Sequence, residues 1–175
     1  MLDIELFSIV RSELINQFNL YNKHDLTDVK VTRANQPTQQ AAGNGRTVFI
    51  TRVGNPQVGG GFKYNGTTRT EQKFKRATFQ FDVLAEFDPA DLNALLPGDI
   101  INITADLIQS YNAIRNLRAN GVNIERVTDV RPSYFVNDKD RFESSPSFDL
   151  TVNYQHDYEN EISSVTRVTT NNYGV

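Results

Sequence analysis

The clearest pattern in the chain is strict alternation between Phe74 and Phe87. Ala77, Phe79, Phe81, Val83, Ala85 and Phe87 point one way, and Arg76, Thr78, Gln80, Asp82 and Glu86 the other. A period of two predicts a strand with one buried and one wet face, as in antiparallel sheets. Ahead of it, Leu2, Leu6, Ile9, Val10, Leu14 and Phe18 recur every three or four residues, predicting an amphipathic helix over 2–19 that packs on a sheet. Arg11, Ser12, Asn16 and Gln17 fall mostly on its other face.

Shorter signals fill the rest. Val29 and Val31 alternate with Lys30 and Thr32 in a strand ending near Pro37, and a polar loop follows over 36–46. Thr47 to Val53 is a β-rich run. Between it and Phe74 lies Gly54–Lys73, holding Gly59-Gly60-Gly61 and Asn65-Gly66. This segment is expected to be the long loop of a β-hairpin, and loops beyond about 12–15 residues are uncommon and usually functional or mobile. Asp88-Pro89-Ala90-Asp91 caps a short helical turn that Pro97-Gly98 breaks. A second helix is expected from about residue 98 to Ala119, with Ile100, Ile103, Leu107, Tyr111, Ile114 and Leu117 as its apolar stripe and Asn120-Gly121 as its stop. Ile124–Arg131 reads as a strand stopped by Pro132, and a charged linker follows over 137–142. A long alternating strand then carries Phe148, Leu150, Val152, Tyr154, His156 and Tyr158. Residues 162–175 read as an extended C-terminal arm. The expected fold is α+β: a mixed, mainly antiparallel sheet with two helices packed on one face, forming a single domain over 1–161 with the hairpin loop at 54–73.

Composition narrows the function. The chain has 175 residues, 38% hydrophobic and 22% charged, with a net charge of −3 and no cysteine. Disulfides, thiolate metal sites and cysteine nucleophiles are thereby excluded. The acidic start and the lack of a long apolar run argue against a signal peptide and a membrane span, so the expected compartment is the cytosol. Positive charge is not concentrated as phosphate binding would require, beyond Lys73, Lys75 and Arg76.

Candidate chemistry is sparse. His24 and His156 are the two histidines, too few for a His-based zinc site. Asp138, Asp140 and Glu143 lack the EF-hand pattern and read as a solvated turn. Gly59-Gly60-Gly61-Phe62-Lys63 is no P-loop, because no Gly-Lys pair occurs and a strand follows. The aromatics Phe74, Phe79, Phe81 and Phe87 read as core. No catalytic, metal or cofactor site is expected.

The order of elements resembles that of the tail-terminator-like neck subunits of contractile-tailed bacteriophages, the gateway proteins. The stretches Ala77-Thr78-Phe79-Gln80-Phe81-Asp82-Val83, Gly98-Asp99-Ile100-Ile101 and Asp129 to Asp138, followed by Phe148-Asp149-Leu150-Thr151-Val152, carry the resemblance. It implies a structural virion protein, assembled in the host cytoplasm, that forms a homo-oligomeric ring of about six copies. The ring would lie between head connector or collar and tail tube or sheath, terminate the tail, and pass DNA without reading its sequence. A tail-tube or head-completion protein is the alternative, and a small-molecule enzyme a more distant one. The interface candidates are Gly59, Gly60, Gly61, Phe62, Tyr64, Asn65 and Arg69 in the hairpin and Arg167, Thr169 and Tyr173 in the arm.

Overall fold

A computed structural model of the chain describes residues 1–34, 45–54, 56–65, 68–85, 95–132, 134–136 and 142–161. The loop expected over 36–46, the turn at 88–91 and the arm from 162 onward lie wholly or almost wholly outside them.

Helix α1 spans Asp3–Leu20 and is followed by strands β1 (Lys30–Arg33), β2 (Thr47–Gly54), β3 (Gln57–Asn65) and β4 (Thr68–Leu84). Helices α2 (Pro97–Ile108) and α3 (Tyr111–Ala119) come next, then β5 (Val122–Val127), β6 (Tyr134–Val136), β7 (Phe142–Ser144) and β8 (Ser147–Glu161). The main sheet runs β1-β2-β4-β8-β5, with β3 also paired to β4. Only β1 and β2 are parallel; the other pairs are antiparallel. The small β6-β7 pair forms a separate sheet. This is the mixed α+β architecture expected.

The core lies between the three helices and one face of the sheet. Leu6, Val10, Leu14 and Phe18 of α1 bury against Ile100, Ile101 and Ile108 of α2, Leu117 of α3, and the sheet residues Ile50, Ala77, Phe79, Val83, Leu150 and Val152. At its centre the rings of Phe81 and Phe148, on neighbouring strands, stack at 4.8 Å with planes 4° apart.

The helical part differs from the expected pair of helices. Ser110 is not helical (φ −61°, ψ 152°), and its hydroxyl accepts a hydrogen bond from the Ala113 amide at 3.2 Å, so it ends α2 and caps α3. An N-cap serine satisfies an orphan amide that a continuous helix would not leave open. The break resets the helical phase. Ile100 and Leu117 of the expected stripe are fully buried, and Ile103 and Leu107 pack at the core's edge. However, Ile101, Thr104, Ala105 and Ile108 are buried beside them and Tyr111 is 77% exposed.

The sheet departs from expectation at two points. Gly54–Lys73 is mostly strand, not loop: β3 pairs with the outer half of β4 from Gln57↔Lys75 to Asn65↔Thr68. The far face of the sheet is also not uniformly wet, because Phe49, Thr51, Asp82 and Ser147 are buried there. Phe49 and Asp82 are partners in register. Asp82 Oδ1 accepts a hydrogen bond from the Gln80 amide at 2.8 Å, while Oδ2 is buried without a partner among the described residues. Burial, with Asp149 nearby, pushes the Asp82 carboxyl above the ordinary carboxylate range, though Gln80 and Arg131 oppose the shift.

Two outcomes are expected. Phe81→Ala should cost about 3–5 kcal/mol, as for other buried aromatics cut to alanine, measured by urea unfolding. For Asp82 the folded pKa lies above the unfolded one, so the native state holds more protons across that window and stability falls as pH rises through it. Asp82→Asn should therefore unfold at higher urea than the parent at pH 7, and the gap should close below about pH 4, near the ordinary Asp value.

Candidate functional site

The residues singled out in the hairpin converge on a ribbon that continues the sheet beyond the core. Strand β4 is 17 residues long, about 55 Å at the usual rise per residue. Its inner half, from Thr78 to Leu84, is flanked by β2, and its outer half, from Thr68 to Lys75, by β3. On its other side β8 follows it the whole way, from Asp82↔Ser147 to Thr68↔Glu161. Strand β5 accompanies β8 only as far as Tyr154. The outer part is thus three strands wide, in the order β3-β4-β8.

Alternation divides its side chains between two faces. Ala77, buried under the helices, fixes the parity. Arg69, Glu71, Lys73 and Lys75 of β4 share the helix side with Gly60, Phe62 and Tyr64 of β3 and with His156 and Tyr158 of β8. Lys63, Thr70, Gln72, Phe74 and Arg76 share the far side with Asp157 and Glu159. Phe74 is consequently not a core residue as its sequence neighbours suggest; it is 50% exposed.

The helix side is an aromatic ladder interleaved with cations. Phe62 and Tyr64, each 58% exposed, meet edge to face at 5.5 Å. The Arg69 guanidinium lies 4.9 Å from the Phe62 ring centroid, and Arg69 also pairs with Glu71 at 3.3 Å. The Lys73 ammonium lies 4.9 Å from the Tyr158 ring, and His156 and Tyr158 are 5.6 Å apart. Such contacts order long side chains and leave their outer faces free for a partner.

The ribbon is held at its base by a polar cluster. Arg52 of β2 pairs with Asp3 at the start of α1, and Tyr154 of β8 bonds to both, 3.3 Å from Arg52 and 3.2 Å from Asp3. The hydrogen bond from Arg52, and its charge, hold the Asp3 carboxyl below its usual range despite some burial. Beside this cluster, His156 Nδ1 sits 2.7 Å from the Met1 carbonyl oxygen.

The three glycines take unequal parts. A Cβ on Gly60 would meet the Gln72 carbonyl oxygen at 2.8 Å, whereas at Gly59 or Gly61 it would meet nothing within 4 Å. Only at Gly60 does the close approach of two strands require glycine.

Of the expected interface residues, Gly60, Phe62, Tyr64 and Arg69 come together on the helix side, and Gly59, Gly61 and Asn65 fall on the other. Arg167, Thr169 and Tyr173 lie outside the described residues. Lys73 of β4 and His156 and Tyr158 of β8 share the helix-side surface and were not singled out with the others, although the alternation of β8 runs through His156 and Tyr158. His24 stands apart, 6.3 Å from Tyr21. Among the described residues no group of three His, Asp or Glu could hold a metal ion. No helix of the described residues is long and apolar enough to cross a membrane. A cleft of about 430 Å³ opens on the far side beside Phe74 and Val58.

Gly60→Ala should push β3 off β4 at a cost of about 1–3 kcal/mol, the usual penalty of overpacking. Hydrogen exchange would show it as faster exchange of the Gly61 and Lys63 amides. Gly61→Ala should leave them unchanged.

A family model described as the E217 gateway protein gp29 matches residues 5–164, from within α1 to just past β8. No curated protein matches the chain.

Proposed function

We propose that this chain, which belongs to the E217 gateway protein gp29 family and is a structural component of the phage neck, works as one copy of a ring joining tail to head. The ring ends the tail, docks it on the head connector or collar, and leaves a bore through which DNA passes. Tail tube or sheath proteins are its neighbours on the other side. The virion of a contractile-tailed phage is the setting that fits this reading.

One structural observation supports it most: the ribbon β3-β4-β8 leaves the core with exposed aromatics and little of its own to bury them. Phe62, Tyr64, Val58 and Phe74 are each at least half exposed. Exposed apolar groups rimmed by charge mark contact surfaces, and the ribbon carries them on both of its faces. A ring is closed by heterologous contacts, so each copy must present two different surfaces. The two faces and two edges of the ribbon meet that need, and the arm over 162–175 is a further reaching element in this reading.

DNA contact in the bore is passive. The net charge of −3 provides no field that would hold phosphates and slow passage.

Mass measurement and negative-stain imaging of the purified full chain, and of assembled particles, test the reading. Closed rings of about six copies are expected, in solution or at the head–tail junction. A chain that stays monomeric and is absent from that junction would overturn it. Spontaneous helical tubes would point instead to a tube protein.

A further inference from the structure

Two edges of the ribbon carry open backbone. Strand β3 pairs with β4 alone, so its other side is unpartnered among the described residues. Strand β8 loses β5 after Tyr154, and from there to Glu161 its outer side is, among the described residues, unpartnered except where the Met1 amino group reaches the Gln155 carbonyl oxygen at 3.5 Å. Natural proteins blunt such edges with proline, charge or coverage. Here β3 offers a single lysine, three glycines and a bulge between Gln57 and Gly59.

The direction of the strands decides how these edges can meet. Both β3 and β8 are antiparallel to β4, so they run parallel to each other. Rotation about a ring axis carries one copy onto the next without reversing strand direction along the ring. A β8 edge meeting the next copy's β3 edge therefore makes a parallel pair. A two-fold dimer would instead bring β3 to β3, or β8 to β8, in antiparallel pairs.

The hydrogen-bonding pattern agrees with the parallel arrangement. The Arg76 amide donates to Pro56, so even-numbered residues of β4 turn their main chain toward β3. Their partners Gly61, Lys63 and Asn65 point inward, which leaves Gly60, Phe62 and Tyr64 pointing outward. On β8, Asp149 and Gln155 turn toward the outer side, as do Asp157 and Glu159 by the same alternation. Outward groups thus come from helix-side residues on β3 and from far-side residues on β8. Parallel partners need that offset if the two faces are to continue across the joint.

The side chains match as well. Continuing the sheet places Phe62 and Tyr64 beside the next copy's His156 and Tyr158 on one face, and Lys63 beside Asp157 and Glu159 on the other. Aromatic pairs and opposite charges on adjacent strands are the favourable combinations.

We infer that neighbouring copies join by strand addition, the outer edge of β8 in one copy pairing in parallel with β3 of the next, so that their ribbons form one continuous sheet around the ring. The inference rests on the ring proposed above and names the contact that closes it.

The absence of cysteine makes the test clean, since introduced thiols have no competitors. Lys63→Cys is combined with Asp157→Cys or with Glu159→Cys, covering two registers, in the purified full chain and in assembled particles. Adjacent strands lie within disulfide reach, about 4.4–6.8 Å between Cα atoms. Oxidation of one double variant should give a ladder of covalent oligomers ending at the ring size, while Lys63→Cys alone gives none. In the parent chain, the Phe62, Tyr64, Asp157 and Glu159 amides should exchange at least tenfold more slowly in rings than in monomers. Rings that form without the ladder and without this protection overturn edge pairing and leave the ring standing. Dimers from Lys63→Cys alone, with no rings in either sample, overturn both.

Discussion

The β4–β8 ladder is the interaction on which the rest of the structure depends. It runs unbroken through two environments: at one end under three helices, at the other in solvent. Inside, the ladder is supported by packing, with Phe81 on Phe148, Phe79 beside Leu150 and Ala77 beside Val152. Outside, the same backbone pairing continues past Arg76 with little apolar burial to support it. An isolated hairpin is marginal in water, and three strands with one usable face are near the minimum. The inner half therefore anchors the register of the outer half, and a slip there would turn every core side chain of β4 to the wrong face.

The junction between the two halves is polar. Arg52, Asp3 and Tyr154 join α1, β2 and β8 where the helices stop. An arginine there can keep its stem among core residues and its guanidinium toward the first exposed turn. Its partners come from α1 and β8, so with β2 the cluster ties three elements together at the base of the ribbon. A loss at this point would loosen a lever about 30 Å long, taking the nine residues of β3 as its length.

The inner half was legible in the sequence because burial there imposes a period. Ala77, Phe79, Phe81 and Val83 alternate without a fault, as do Phe148, Leu150, Val152 and Tyr154, and both runs lie where expected. The outer half carries no such imprint. With no core to select apolar residues, Gly59-Gly60-Gly61 resembles a loop, although Gly60 is required by contact with a neighbouring strand. Phe74 misled for the same reason, since an exposed aromatic beside a buried run copies its composition and not its parity. The third helix was hidden because Ser110 interrupts a pattern that otherwise reads as one stripe. Its signal was local, a capping residue, and weaker than the periodicity around it. The surface formed by Phe62, Arg69, Lys73 and Tyr158 required the register between three strands, which spacing along one chain does not contain.

An open edge of glycine-rich strand is a hazard for a protein that works alone and an asset for one that assembles. Glycine lets strands approach closely and leaves no side chain to obstruct a newcomer, at a cost in stability that a partner can repay. The charges decide which newcomer is tolerated. Two β3 edges brought together would set Lys63 near its own copy, and two β8 edges would set Asp157 and Glu159 near theirs. Like charges across a strand pair are unfavourable, and opposite ones favourable. The segregation of the lysine to β3 and the carboxylates to β8 thus opposes both two-fold pairings and favours the mixed one. For the ring proposed above, discrimination against the closed dimer matters as much as affinity, because a two-fold dimer would consume the very edges that such a ring needs.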